Sequence, residues 1–277
     1  MAIRMYDLAA EETARRFSPF CWRSRMALAH KGLTVETIPW RFSEKEAIAH
    51  SGQERVPVIE DGGRVLADSW AIANYLEEAY PDRSSLFGGP AGHAMARFFN
   101  SWTDIVLIPG IASFVAADIL RHLDPRDRDY FRRTREKRFG MSVDDFCASR
   151  ETRVSGFRQS LEPLRQTLQA QPFFGGETPL YPDYIVFGGF QWARAISPFA
   201  LLENADPIAK WPERRHIRRP GTKLPSLLKI PEHRSLLSIY VETVIDAAMH
   251  LSPIARERLD FRDDSGGSLK VWHCHEG

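Results

Sequence analysis

Residues 56–69, VPVIEDGGRVLADS, decide the reading of this chain. VPVIE at 56–60 is a short strand, Asp61-Gly62-Gly63 a tight turn, and Arg64 to Leu66 the returning strand, so the stretch reads as a β-hairpin. Asp68 and Ser69 then stand as caps ahead of Trp70, Ile72, Ala73, Leu76 and Tyr80. That spacing predicts a helix, which Pro81-Asp82 ends. Pro57 has no N–H to give to a sheet ladder. Two accounts of it stay open. One is a trans proline on an edge strand. The other is a cis Val56–Pro57 bond that turns the Val56 backbone outward toward a peptide-like ligand.

Upstream, IRMYDL at 3–8 is a strand, and Ser18-Pro19 signals a helix start, with serine as N-cap and proline in the first turn. That helix carries Trp22, Met26, Leu28 and Ala29 and stops at Lys31-Gly32. TVETIP at 34–39 alternates as a second strand, and SEKEAIAH after it is weakly helical. The order is thus β-α-β followed by β-β-α. A Gly-, Pro- and Ser-rich linker, RSSLFGGPAG at 83–92, marks a domain boundary. Beyond it the pattern is helical: a long apolar run expected to bend at Pro109-Gly110, a charged stretch at 124–140 read as a solvated face or an exposed loop-helix, one helix over 150–170, and a buried central helix over 183–196. The organisation expected is residues 1–82, residues 91–211, and a basic, proline-rich extension over 212–277.

The chain has 277 residues and a formal net charge of +1, which gives no argument for nucleic acid, a membrane surface or a polyanionic substrate. Its three cysteines are too few and too scattered for a disulfide framework, which points to a reducing, cytoplasmic setting. MAIRMYDLAAEE turns acidic too early for a secretory signal, and no stretch reads as a membrane span. No metal spacing is present: His273-Cys274-His275 fits no closed zinc site.

Asp68 and Ser69 are ordinary helix caps, and a helix N-terminus is also an anion site. Ser69 and its amide suit a carboxylate and Asp68 an ammonium, which together describe an α-amino acid. A serine opening the first helix, Val-Pro at the third strand and an Asp-Ser pair after the fourth together resemble the glutathione S-transferases, over about residues 3–211. FSPFCWRSRMALAHKG, ERVPVIEDGGRVLADSWAIANYLEEAYPD and DYIVFGGFQW are most similar to bacterial serine-type members, in particular the glutathione-dependent β-etherases. The resemblance implies a thioredoxin-like α/β N-terminal domain, an all-α C-terminal domain and a homodimer. It implies glutathione as co-substrate and a small hydrophobic electrophile as the second substrate.

Position by position, the resemblance implies that Ser18 donates to the glutathione sulfur and favours its thiolate. Val56, before Pro57, pairs with the cysteinyl backbone, and Asp68 and Ser69 hold the γ-glutamyl end. Arg41 and Arg55 are candidates for the glycyl carboxylate, with a surface role as the alternative. Trp40 lines the site or is a packed aromatic. Serine cannot form the mixed disulfide of cysteine-type relatives, so the chemistry expected is attack on an electrophile, with Cys21 a buried small hydrophobe. Conjugation, ether cleavage and isomerisation are not separated, and a non-catalytic binding or regulatory role is the remaining alternative. Phe99, Trp102, Val106, Phe114 and Trp192 are apolar enough to line the second pocket or to be core. Asp183 fits the family's internal capping box, although Leu180 stands where a hydroxyl or amide is usual. The similarity fades after Trp211, where a lineage-specific extension, a shifted reading frame and a partner-binding arm are the three accounts of the tail.

Overall fold

Residues 2–213 are described by a computed structural model, and all of them fall within one compact unit. The expected basic extension lies outside the described residues apart from Pro212 and Glu213, as does His273-Cys274-His275.

Strands β1 (Ile3–Leu8), β2 (Val35–Trp40), β3 (Val58–Asp61) and β4 (Arg64–Ala67) form one sheet in the order β2-β1-β3-β4. β1 and β2 run parallel, joined through helix α1 (Pro19–His30), while β3 is antiparallel to both β1 and β4. A parallel pair needs a long crossover, which α1 supplies; the β3–β4 hairpin needs only Gly62 and Gly63, both at positive φ. Helix α2 (Ser69–Ala79) follows β4. This is the thioredoxin-like arrangement expected.

The helical half begins one residue earlier than expected, with α3 (Pro90–Trp102). A π turn, Thr103–Leu107, then leads into α4 (Ile108–Ile119). The irregularity expected at Pro109-Gly110 therefore sits just before it. Pro109 has no N–H for the carbonyl of Ile105 and its ring crowds that carbonyl, and the wider turn takes up the mismatch. The run Pro90–Ile119 is long and apolar, and half of its most apolar window is buried in the fold.

Next come α5 (Pro125–Phe139), α6 (Val143–Phe146), α7 (Arg150–Ser160) and α8 (Glu162–Ala170). The single helix expected over 150–170 breaks at Leu161, because Pro163 cannot continue the hydrogen-bond ladder of α7. The central helix α9 (Tyr181–Ile196) is buried along nearly its whole length and lies against α1, α3 and α4. A short helix, α10 (Pro207–Lys210), brings the buried Trp211 onto Phe174 and Phe187.

The charged stretch 124–140 is the helix that one of its two readings expects, and it is not wholly exposed. Asp127 on α5 is buried, and its two carboxylate oxygens accept the amides of Phe42 (3.1 Å) and Ser43 (2.8 Å) in the loop after β2. Phe131 is buried beside it. A carboxylate taking two backbone amides is a strong, oriented contact, so α5 is pinned to the N-terminal half at that loop.

Candidate functional site

Sheet register gathers the expected residues at one end of the sheet. Phe17 donates its amide to Leu8 at the C-terminal end of β1, so Ser18 stands there. β3 runs the opposite way and pairs Val58 with Tyr6, so Val56 and Pro57 emerge at that same end. Val58 also pairs with Ala67, which sets Asp68 and Ser69 beside Pro57. Two helix N-termini and the entrance of β3 thus share one edge.

Ser18 is the N-cap of α1, with φ −72° and ψ 124°, and its Oγ accepts the amide of Cys21 at 3.2 Å. The hydroxyl keeps its own proton to donate, at the positive end of the helix. Cys21 is fully buried. Burial first, then Asp7, pushes its thiol far above the ordinary range, so it stays protonated. Of Ser18 and Cys21, only the serine is suited to stabilise an anion.

The Val56–Pro57 bond is cis. Val56 is only 9% exposed, yet among the described residues neither its N–H nor its C=O has a protein partner. Backbone groups so little exposed are paired in the great majority of cases, so this edge is open to an external strand-like partner.

Asp68 adopts φ 74°, an unusual conformation for a residue other than glycine. Its Oδ1 accepts the amides of both Trp70 (2.9 Å) and Ala71 (3.0 Å), while Oδ2 has no partner among the described residues. Asp68 is thus both the helix cap and an exposed carboxylate with a free oxygen. The buried Ser69 has no side-chain partner among the described residues, and its carbonyl accepts the phenol of Tyr181 at 2.6 Å. That bond ties the first turn of α9 to the first turn of α2.

The remaining expected residues differ in availability. Trp40 is buried, and its indole donates to the carbonyl of Glu44 at 2.7 Å, which makes it the packed aromatic. Arg41 bonds the Glu44 carboxylate and the carbonyl of Glu11. Its guanidinium is occupied in a structural joint. Arg55 is exposed and forms no ion pair among the described residues. Phe114 and Trp192 are core, whereas Val106 is exposed on the long helix. Asp183 completes its cap without a hydroxyl at Leu180: its carboxylate accepts the amides of Leu180, Phe174 and Gly175, and the indole of Trp211. No cluster of His, Cys, Asp and Glu suited to a metal occurs among the described residues.

Sequence reasoning missed Arg23, Tyr181 and Asp127. Arg23 is wholly buried in α1, and its guanidinium reaches Asn100 (3.1 Å) and Asp104 (2.7 Å) on the long helix. Only its place among the apolar residues of α1 hinted at this; its partners lie far along the chain.

Comparison with known proteins agrees with this geometry. Residues 13–84 match the glutathione S-transferase N-terminal domain and residues 94–213 match the glutathione S-transferase C-terminal domain. The chain belongs to the glutathione S-transferase family. Glutathione S-transferase omega-1 of Mus musculus is 27% identical over 218 residues, 76% of this chain and 74% of that protein. Glutathione S-transferase U22 of Arabidopsis thaliana is 23% identical over 187 residues, 66% of this chain and 73% of that protein. Among solved structures, a glutathione transferase of Phanerochaete chrysosporium superposes with a TM-score of 0.68 at 26% identity, covering 77% of this chain and 94% of its own. A glutathione S-transferase of Ceriporiopsis subvermispora, crystallised with glutathione, gives a TM-score of 0.69 at 23% identity, covering 80% of this chain and 100% of its own.

Proposed function

We propose that this chain uses glutathione as co-substrate and directs its thiolate at the carbon of a small hydrophobic or aromatic electrophile. The observation that carries the reading is the gathering of the Ser18 N-cap, the unpaired Val56 backbone and the Asp68-Ser69 helix start at one end of the sheet. In this reading the Val56 N–H and C=O pair with the cysteinyl residue. The free oxygen of Asp68 takes the γ-glutamyl ammonium, and the Ser69 hydroxyl and amide take its carboxylate. Ser18 donates to the sulfur. A free thiol with a pKa of about 8.5 is largely protonated at neutral pH, and a hydroxyl donor at a helix N-terminus shifts the balance toward thiolate. The thiolate forms a C–S bond, the bond to the leaving group breaks, and the departing aryloxide or halide carries away the electron pair. Aryl-ether cleavage is the form of this displacement we favour, in line with the sequence similarity to the serine-type β-etherases.

The chain is proposed to act as a homodimer. Phe98 (66% exposed) and Ile105 (74% exposed), with Met95 and Val106, fall on one side of the long helix and offer an apolar stripe for a second copy.

Calorimetric titration with glutathione, beside Ser69→Ala, tests the site. Binding that the substitution abolishes supports it, and screening of aryl ethers and halides follows. A wild-type protein that binds no glutathione sinks the reading in favour of a non-catalytic role.

A further inference from the structure

The loop between β1 and α1 and the C-terminal ends of α4 and α9 border a cleft of about 330 Å³, a volume that holds a small organic ligand. Three guanidiniums, those of Arg15, Arg121 and Arg194, stand on its wall with one carboxylate, Asp118. Asp118 is only 2% exposed and already committed. Its Oδ2 accepts Arg150 (2.7 Å) and the Ser197 hydroxyl (2.6 Å), and its Oδ1 faces Arg121 at 3.5 Å. One carboxylate is thus shared between two arginines and cannot neutralise both. The Arg121 side chain is 72% exposed, and its guanidinium makes no hydrogen bond among the described residues. Arg15 gives Nη1 to the Ala195 carbonyl at 2.6 Å and Nη2 to the exposed Glu12 at 3.4 Å, while its Nε has no partner among the described residues. Arg194 donates to the Ala209 carbonyl at 3.0 Å. The His122 imidazole lies 2.9 Å from the Ile196 carbonyl through Nε2. A cation beside a helix C-terminus is favourable in itself, and one N–H of Arg15 fills that role at α9. That role uses neither the Arg121 guanidinium nor the remaining donors of Arg15.

We propose that this cleft is a binding site for a small organic acid, separate from the proposed glutathione and electrophile site, with Arg121 and Arg15 taking the carboxylate. A planar guanidinium holds a carboxylate through two parallel N–H···O bonds, and Arg121 has all its donors available to do so. The rest of the wall suits an apolar body. Ala195, Ile196 and Pro198 line it, and the aliphatic stems of the arginines add to that surface. A ligand with a charged head and a ring or short chain behind it meets both parts. A bare inorganic anion meets only the first, and a neutral ring only the second. The site does not depend on glutathione chemistry. Its residues come from three segments that the chain brings together from about positions 15, 120 and 196, so only the folded protein presents it.

The test uses the full chain and benzoate as the probe, with benzyl alcohol and inorganic phosphate as comparisons at matched ionic strength. Thermal midpoint is followed against probe concentration, which reports binding to the folded state. We expect benzoate to raise the midpoint of the wild type and the two comparisons to leave it in place. The half-saturating benzoate concentration should rise about fivefold or more in Arg121→Gln, the loss of a charge-assisted hydrogen bond. Arg15→Gln should move it the same way, and Arg121→Lys should recover only part of the loss. Arg121 is an exposed side chain, so its variants carry the test if Arg15→Gln does not fold. The benzoate titration is repeated with S-benzylglutathione present to fill the proposed catalytic site. A shift that persists supports a separate site. Benzoate without effect, a benzoate response unchanged in the folded Arg121→Gln protein, an equal response to phosphate or benzyl alcohol, or a response that S-benzylglutathione abolishes each overturns the proposal. A wild type that binds no glutathione removes the catalytic reading, and the benzoate titration of the unliganded protein still decides this one.

Discussion

The Tyr181 phenol donates to the Ser69 carbonyl at 2.6 Å, across 112 positions of sequence. One residue opens the central helix and the other opens the helix proposed to receive the γ-glutamyl group. The helical half thereby sets where the N-terminus of α2 points. Tyr181→Phe keeps the buried ring and removes only this bond, at a cost of about 1 kcal/mol. The expected outcome is a small fall in thermal midpoint with a larger rise in the KM for glutathione than fall in kcat. Steady-state kinetics with glutathione varied distinguish this from a general loss of packing, which moves both parameters together.

Ser18→Ala removes the proposed donor to sulfur, while Cys21→Ala removes a buried thiol that does no chemistry. A hydrogen bond to a charged group contributes about 1.5–3 kcal/mol, or one to two pKa units of the bound thiol. Thiolate absorbance of the glutathione complex, followed against pH, should shift upward by that amount in Ser18→Ala. The curve should be unchanged in Cys21→Ala. An unchanged curve in the serine variant removes Ser18 from the mechanism.

Gly188 on α9 sits against the residue after Ser18. A Cβ there would meet the Pro19 carbonyl oxygen at 2.4 Å, and that oxygen is backbone and cannot swing away. Gly188→Ala should force α9 and α1 apart, with a loss of about 1–3 kcal/mol typical of overpacking. Gly156, where an added Cβ meets nothing within 4 Å, serves as control: Gly156→Ala should be neutral or slightly stabilising in the same urea titration.

Local rules explain why the N-terminal half was legible. Asp61-Gly62-Gly63 fixes the hairpin, and Ser18 and Asp68 announce their helices through their own caps. The Val56–Pro57 isomer has two accounts in sequence, because nothing in a dipeptide distinguishes them. The helical half was read less well where partners are distant. The amides of Phe42 and Ser43 find Asp127 some 85 positions away, so a buried carboxylate looked like part of a solvated face. Arg41 and Arg55 look alike in sequence. Only the structure shows Arg41 tied to Glu44 and Glu11 while Arg55 is left without an ion pair among the described residues.

The exposed stripe on the long helix predicts a concentration-dependent dimer. Ile105→Glu places a charge on its most exposed apolar residue. Sedimentation at several concentrations should show a dimer for the wild type and a monomer for the variant. A monomeric wild type removes the homodimer from the proposal.

His30 bridges α1 to the linker and to α9: Nε2 lies 3.0 Å from the Ser85 carbonyl and Nδ1 lies 2.7 Å from the Tyr184 hydroxyl. The carbonyl can only accept, so Nε2 carries the proton and neutral Nδ1 accepts from the phenol. Burial, the largest cause, lowers the pKa of this imidazole below its ordinary 6.5. The unfolded chain therefore binds a proton near pH 6.5 that the folded chain refuses until lower pH. The contribution of His30 to stability is fully present above about pH 6.5 and is lost as pH falls toward the folded pKa, with a slope of at most about 1.4 kcal/mol per pH unit. Urea midpoints at pH 7.5 and 5.5 should differ more for the wild type than for His30→Gln, which cannot titrate. Equal differences for the two proteins would show that this joint is indifferent to protonation, and acid sensitivity would then have to come from other groups.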